Sequence, residues 1–131
     1  MNDLNQPEAV ARRFLAAFER ADLDELRSLL SDAFVARVTT ADGGTRQASA
    51  DDYVASVVQM GVPTADLQLE VKDVTATGPD QVLVMVEVHA ARGGRTLHNF
   101  SGQLATVRDG KIVELSMVDA LPEGSDRFWS A

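Results

Sequence analysis

Apolar residues near the start of the chain recur at helical spacing and predict a helix over residues 5–21. Pro7 suits the first turn of this helix, and Glu8 complements the positive end of its dipole. The predicted apolar face consists of Val10, Phe14, Phe18 and Ala21. We expect this face to pack on the rest of the domain while the charged positions stay in solvent.

Two shorter helices carry recognisable start signals. The stretch over residues 22–30 opens with Asp22 as its cap and has Glu25 three residues later, which is the capping-box arrangement. A third helix opens with Ser49 as its cap, has Asp52 at the third position and runs to the glycine and proline at positions 61 and 63.

The rest of the chain has the two-residue period of β-strands. A strand is predicted over residues 33–40, followed by a loop over 41–47, and alternation begins again at Leu67. Three later strands are predicted over residues 81–91, 96–107 and 112–120. Because helices come first and an antiparallel meander follows, we predict one α+β domain over residues 1–131, with the helices on one face of the sheet.

The turn at Gly93-Gly94 predicts the pairing of the two strands that flank it, because a two-residue loop fixes the hairpin register. The predicted cross-strand pairs are Val88 with Asn99, Val86 with Ser101, Val84 with Gln103, His89 with His98, and Glu87 with Phe100. One alternate face of residues 99–103 is therefore polar, which is a poor choice for a packed core.

The next hairpin has two possible registers. A two-residue turn at Asp109-Gly110 would put Gln103 opposite Ser116. A three-residue loop with a bulge would put Gln103 opposite Leu115 and Asn99 opposite Asp119. The choice moves every side chain of the last strand to the other face of the sheet, and the local sequence leaves it open.

Composition narrows the possible partners. The net charge of −8 and the pI of about 4.6 argue against nucleic acid, because a phosphate backbone would be repelled. The chain has no cysteine, which excludes disulfides and thiolate chemistry. No signal peptide is evident at the amino terminus, and the longest apolar run, "VLVMV", is too short to cross a membrane. We therefore expect a cytoplasmic protein without a membrane partner.

The segments "VARRFLAAF", "ADLDELRSLLSDAF" and "DGKIVEL" resemble those of the nuclear transport factor 2-like superfamily, which includes the SnoaL-like polyketide cyclases and ketosteroid isomerase. The resemblance covers essentially the whole chain. It implies a cone-shaped, curved antiparallel sheet of the cystatin-like type, closed by three N-terminal helices around a pocket. It also implies a homodimer through the convex face of the sheet, and it favours the three-residue loop in the second hairpin.

The resemblance implies a pocket for a small apolar molecule, lined from both layers of the fold. The expected wall consists of Phe14, Phe18, Tyr53, Val57, Val84, Val86, Val88, Asn99, Ser101, Gln103, Leu115, Met117 and Asp119. A mostly apolar cavity with a few converging polar groups is typical of a small-molecule site.

The catalytic residues of the known family enzymes do not carry over. The tyrosine of ketosteroid isomerase matches Phe14, its general base falls near Arg37 or Val38, and its second carboxylate falls at Gln103. The aspartate of the SnoaL-type cyclases matches Met117. The Arg-x-Asp strand of limonene epoxide hydrolase has no counterpart in this sequence.

Asp119 is the acid expected to point into the pocket, where apolar walls would raise its pKa and suit it to general acid–base catalysis. Asn99 and Gln103 are expected to hold a substrate oxygen. Arg37 either binds an anion or forms an ion pair with Asp32 or Asp42. Other candidates with both a packing and a ligand-binding interpretation are Tyr53, on the third helix, and Trp129, in the carboxyl-terminal tail.

His89, His98 and Glu87 would form a three-ligand metal face, but this face is also the expected dimer surface, so we expect stacked interface histidines and no metal or cofactor. Three functions stay open. The first is a cofactor-independent isomerase, cyclase or lyase that uses Asp119, and the second is a non-catalytic ligand-binding protein. The third is a dimeric interaction module with an incidental cavity.

Overall fold

The computed structural model describes residues 6–130. The segment 1–5, on which the expected lack of a signal peptide depends, and Ala131 in the tail lie outside the described residues. The helices in the described part are α1 (Pro7–Arg20), α2 (Leu23–Ser28), α3 (Ala50–Gln59) and α4 (Pro122–Trp129), with a 3₁₀ helix at Val62–Thr64. The strands are β1 (Leu30–Thr39), β2 (Thr45–Ser49), β3 (Asp66–Gly78), β4 (Gln81–Arg92), β5 (Arg95–Arg108) and β6 (Lys111–Asp119).

The predicted start signals of the first three helices are confirmed. Pro7 lies at the start of α1, and Ala21 ends that helix in a left-handed conformation with φ 55°. The Asp22 side chain accepts a hydrogen bond from the backbone N–H of Glu25 at 3.2 Å, and Ser49 caps α3 in the same way. Each cap satisfies a backbone donor that the helix itself leaves without a partner.

The six strands form one curved sheet in the order β2-β1-β6-β5-β4-β3. The predicted α+β class is confirmed, but the sheet is mixed rather than purely antiparallel, because β1 pairs with β6 in parallel. The meander of β3 to β6 leaves one edge of β6 free, and β1 occupies that edge.

Two elements differ from the sequence prediction. The predicted loop over residues 41–47 contains most of β2, whose side chains are exposed except for Ala48, so it lacks the alternation that indicates a strand. The tail forms α4, with Pro122 in its first turn. Gly124 lowers the helical propensity of this segment and hides it from a pattern-based prediction.

The first hairpin has the predicted register, with Val88 opposite Asn99, Val86 opposite Ser101 and Val84 opposite Gln103. The second hairpin follows neither predicted alternative. A two-residue turn has Asp109 and Gly110 at φ 54° and 76°, and a bulge then leaves Val113 without a pairing partner on β5.

The bulge in β6 determines which side chains face the helices. It puts Gln103 opposite Met117 and Ser101 opposite Asp119, so the predicted pairings of Gln103 with Leu115 and Asn99 with Asp119 are wrong. Leu115, Met117 and Asp119 nevertheless share the face expected from the three-residue loop. The inserted residue compensates for the shorter turn, because each one-residue shift exchanges the two faces of a strand.

The helices cover one face of the sheet, called the inner face below, and the opposite convex face is called the outer face. Phe14 on α1, Phe34 on β1 and Tyr53 on α3 meet in the core, with ring centroids 5.8 to 5.9 Å apart for the Tyr53 contacts. Within residues 6–130, no helix combines the length and the apolar character needed to cross a membrane.

Candidate functional site

A cavity of about 470 Å³ lies between the inner face of the sheet and helices α1, α3 and α4. Ten of the residues expected on its wall are there: Phe14, Phe18, Tyr53, Val57, Val88, Ser101, Gln103, Met117, Asp119 and Trp129. The volume falls in the usual range for small-molecule sites, and the aromatic and aliphatic residues on the wall make much of it apolar.

Ser101 is the buried polar group of the cavity wall whose hydrogen-bonding capacity is unused. Its side chain is 3% exposed, and its Oγ has no hydrogen-bond partner among residues 6–130. Burying a hydroxyl without a partner costs about 1–3 kcal/mol, and such groups are few in native proteins. The buried Ser101 hydroxyl therefore lowers the stability of the ligand-free protein, and a polar ligand atom that bonds to it would remove this cost.

Asp119 lies directly opposite Ser101 in the β5–β6 pair, on the cavity wall and near the end of β6. Burial raises the pKa of the Asp119 carboxyl above its ordinary value, and a hydrogen bond with the Ser125 side chain partly opposes that rise. No cation forms an ion pair with this carboxylate within residues 6–130. A half-buried carboxyl without a cationic partner is suited to exchanging protons with a bound molecule.

Gln103 lies two residues beyond Ser101 on the same face of β5, opposite Met117. The one side-chain contact of its amide within the described residues is a long one, from Nε2 to the Met117 Sδ at 3.9 Å. Both the N–H donors and the carbonyl oxygen of this amide are therefore available to a molecule in the cavity.

Tyr53 contributes a hydroxyl from the opposite wall of the cavity. Its side chain is 7% exposed, and burial raises the pKa of the Tyr53 phenol far above its ordinary value. The phenol therefore stays protonated at physiological pH, and it can serve as a neutral hydrogen-bond donor.

The sequence prediction missed Arg46, which lines the cavity from β2. Its side chain is exposed and makes no ion pair within residues 6–130, and its positive charge slightly opposes the rise in the pKa of Tyr53. The segment was predicted to be a loop, so nothing in the pattern indicated that Arg46 lies on the cavity side of β2.

Asn99 was expected to hold a substrate oxygen, but the structure engages both ends of its amide elsewhere. The Asn99 Nδ2 donates to the Leu121 carbonyl at 2.9 Å and to the Ser125 Oγ at 2.7 Å. Its Oδ1 accepts from the backbone N–H groups of Leu121 and Phe100 at 3.0 and 2.9 Å. The side chain is 1% exposed and is not on the cavity wall. Asn99 therefore anchors the start of α4 instead of contacting a ligand.

Four further residues expected at the pocket also lie elsewhere. Val84, Val86 and Leu115 are on the inner face but are 1 to 2% exposed and packed in the core away from the cavity. Arg37 belongs to the outer face, where its guanidinium pairs with Glu114 at 3.1 Å rather than with Asp32 or Asp42.

Helix α4 closes one end of the cavity with Trp129, which lies half-buried on the wall. Arg92 holds the end of this helix, because its guanidinium donates to the carbonyls of Phe128 and Trp129 at 3.4 Å and stacks near both rings. The same guanidinium donates to the Met60 carbonyl at 2.7 Å, which ties α4 to the end of α3. The tail thus docks on its own domain.

Residues 11–115 match the profile of the SnoaL-like domain. No curated protein matches the sequence. Among solved structures, the chain is similar to Bal32a from a soil-derived mobile gene cassette, with a TM-score of 0.78, 19% identity, and coverage of 98% of this chain and 99% of that chain.

Two other similar structures have named activities. IdmH from Streptomyces antibioticus, proposed to be a polyketide cyclase, has a TM-score of 0.74 and 21% identity over 96% of this chain and 99% of that chain. An LEH-like epoxide hydrolase from M. tuberculosis has a TM-score of 0.74 and 15% identity over 92% of this chain and 86% of that chain.

At these low identities, the likeness shows a shared fold alone. The matched profile spans most of the chain and agrees with the helix order and the curved sheet described above. The resemblance predicted from the sequence motifs is confirmed, and the chain belongs to the SnoaL-like domain family of the nuclear transport factor 2-like superfamily.

Proposed function

We propose that the cavity binds a compact, mostly apolar molecule with a carbonyl or hydroxyl group, and that Asp119 transfers a proton of that molecule. The observation that carries this proposal is the buried, unpartnered Ser101 hydroxyl directly opposite the half-buried Asp119 carboxyl. A ligand oxygen between the apolar walls would satisfy the hydroxyl and bring the adjacent carbon toward the carboxylate.

The proposed reaction begins with the ionised Asp119 as general base. The carboxylate takes a proton from the carbon beside the ligand carbonyl, the C–H electron pair forms a C=C bond, and the carbonyl π pair moves to oxygen as an enolate. Ser101, Gln103 and Tyr53 offer neutral donors to that oxygen. No redox partner is required for this step.

The protonated Asp119 can complete two reactions of the same class. Where the molecule has a C=C bond conjugated with the enolate, returning the proton to the far carbon of this dienolate moves the double bond and isomerises the molecule. Attack of the enolate carbon on a second carbonyl of the same molecule forms a C–C bond, and the resulting alkoxide then takes the proton from Asp119. The proposal that IdmH is a polyketide cyclase makes ring closure of a polyketone a reasonable first reaction to test.

The alternative is a non-catalytic binding protein that uses the same cavity. A half-buried carboxyl surrounded by neutral hydrogen-bond donors suits a binder as well as an enzyme. The two functions differ in the expected effect of Asp119→Asn, which keeps the shape of the side chain but removes the base.

Native mass spectrometry of freshly purified, tag-free protein provides the first test. A retained small molecule would identify the chemical class, and related cyclic ketones and diketones would then be assayed for affinity and for conversion. If the protein is an enzyme, Asp119→Asn should bind the ligand with near-normal affinity but no longer convert it. Glu114→Gln on the outer face should bind and convert the ligand as the wild type does. Conversion that persists in Asp119→Asn would contradict the catalytic role.

We also propose that the outer face pairs with a second copy of the chain. Phe100, Val118 and Met85 lie near one another on this face and are 44%, 55% and 39% exposed. Large apolar side chains grouped on a sheet face are stabilised when another surface covers them. Light scattering after size exclusion should report a dimer, and a monomer at all concentrations would contradict this assignment.

A further inference from the structure

Glu87, His89 and His98 form a compact cluster on the outer face, away from the cavity. Their potential ligand atoms all lie within 4.8 Å of one another. The Nε2 atoms of His98 and His89 lie 2.6 and 3.2 Å from the same Glu87 oxygen, Oε2. Two imidazole nitrogens from adjacent strands therefore approach one carboxylate oxygen.

The hairpin holds these side chains in position. The turn at Gly93-Gly94 places His89 directly opposite His98, and the two rings stack with centroids 4.5 Å apart and planes 9° from parallel. Glu87 precedes His89 by two residues, so both point to the same face of β4. Because a two-residue turn and strand pairing determine these positions, the cluster forms without a flexible loop.

The cluster is accessible from solvent in the single chain, where it borders the proposed dimer patch, since the His98 and Phe100 ring centroids lie 5.4 Å apart. The side chains of His89 and His98 are 50% and 55% exposed, whereas that of Glu87 is 16% exposed. Lys72 contacts the other Glu87 oxygen, Oε1, at 3.2 Å, which leaves Oε2 directed at the two imidazoles.

We propose that Glu87, His89 and His98 form a binding site for a divalent transition-metal ion such as Zn²⁺. Two neutral imidazole nitrogens and one carboxylate oxygen are a ligand set that Zn²⁺ uses, and a fourth position would stay open to water. The ligand pattern disfavours Mg²⁺ and Ca²⁺, which prefer oxygen ligands. The spacing of these residues in the sequence did not by itself favour a metal, whereas the separation of at most 4.8 Å between their ligand atoms does.

The Lys72 ammonium would compete with a metal ion for the Glu87 carboxylate. The same ammonium also pairs with Glu70 at 3.0 Å. A bound cation would face this positive charge across the Glu87 carboxylate. Lys72→Met should therefore strengthen metal binding, because it removes the repulsion and frees both carboxylate oxygens. Metal ions that bind nonspecifically to surface carboxylates would bind equally well after His89 or His98 is replaced.

The test is calorimetric titration of tag-free protein with Zn²⁺ alone, in a buffer that does not chelate metals. We expect one ion per chain, and a loss of affinity of roughly tenfold or more for His89→Ala, His98→Ala and Glu87→Gln. Glu114→Gln, an exposed carboxylate on the same face, is the matched control and should bind as the wild type does. Mg²⁺ under the same conditions should give no binding.

A second measurement uses the unmutated protein, so it does not depend on whether a variant folds. Substoichiometric Cu²⁺ should selectively broaden the NMR signals of residues around Glu87, His89 and His98 in the unmutated protein. Absence of Zn²⁺ binding at Zn²⁺ concentrations up to about 1 mM would overturn the proposal. Equal Zn²⁺ affinity in His98→Ala, or copper broadening centred elsewhere, would overturn it as well.

Discussion

Ser101 and Asp119 face each other across β5 and β6, so an unpartnered hydroxyl and a half-buried carboxyl share one cavity wall. Both groups are held on regular strands, and neither depends on a mobile loop for its position. Strand-mounted groups suit a site that must present donors and a base to one small molecule.

The Ser101 hydroxyl should lower the free energy of unfolding of the ligand-free protein and raise its affinity for the ligand. Ser101→Ala removes a buried polar group without leaving a partner unpaired, so the free energy of unfolding should rise by about 1 kcal/mol. Ligand affinity should fall in the same variant. Urea denaturation and ligand titration check the two effects, with Ser116→Ala as the matched control. A destabilised Ser101→Ala protein would mean that the hydroxyl has a partner in solution.

Asp119 should make stability depend on pH in a defined direction. The pKa of Asp119 is higher in the folded protein than in the unfolded chain. The contribution of Asp119 to the free energy of unfolding is therefore fully present at a pH below the unfolded-state pKa. It is lost as the pH rises through the folded-state pKa. Asp119→Asn does not ionise, so its Tm should exceed that of the wild type at pH 7. The difference should shrink toward about pH 3, where both side chains are neutral.

Calorimetric melting curves of wild type and Asp119→Asn between these pH values provide the check. Asp80→Asn is the control, because the Asp80 carboxylate pairs with Arg108 at the far hairpin and does not line the cavity. A Tm difference for Asp119→Asn that grows as the pH falls would contradict a raised pKa.

Asn99 should be a stability residue and not a binding residue. Asn99→Ala removes two donated and two accepted hydrogen bonds in a buried position, so we expect a loss of about 3 kcal/mol. Helix α4 should become sensitive to proteolysis at the same time. Gln103→Ala is the contrast, because within residues 6–130 the Gln103 amide makes one side-chain hydrogen bond, to Met117, and the free energy of unfolding should change by about 0.5 kcal/mol or less.

Charge on the outer face should prevent self-association. Val118→Asp puts a carboxylate at a position that is 55% exposed, so the monomer should fold while a covered apolar interface would be disrupted. Sedimentation analysis should show a dimer for wild type and a monomer for Val118→Asp. If both sediment alike as dimers, the second copy uses a different surface.

The hairpin β4–β5 could be predicted residue by residue, because its Gly93-Gly94 turn determines the register from local sequence alone. The pairing of β6 could not. Its bulge at Val113 coincides with the shift in the parallel pairing between β1 and β6, so the register depends on a strand some eighty positions earlier in the chain. Local turn chemistry contains no information about that contact.

The same difference between local and long-range contacts explains which residues of the candidate site could be predicted from the sequence. Ser101 and Gln103 were predicted because alternation along β5 assigns each side chain to a face, whereas the face of Asp119 was predicted from the family resemblance, which favoured the three-residue loop. Arg46 was missed because β2 is polar and exposed almost throughout. Asn99 was assigned to the wrong role because α4, its hydrogen-bonding partner, was not expected to be a helix.

The proposed role of Asp119 is to move a proton of a molecule held in the cavity. The most direct measurement is NMR detection of deuterium incorporation beside the carbonyl of a cyclic ketone shown to bind, in D₂O, with wild type and Asp119→Asn. Exchange should be faster with wild type by roughly 10²- to 10⁴-fold, while the two proteins bind the ketone with similar affinity. Equal exchange with both proteins, or none above the buffer rate for a ketone that occupies the cavity, would contradict it.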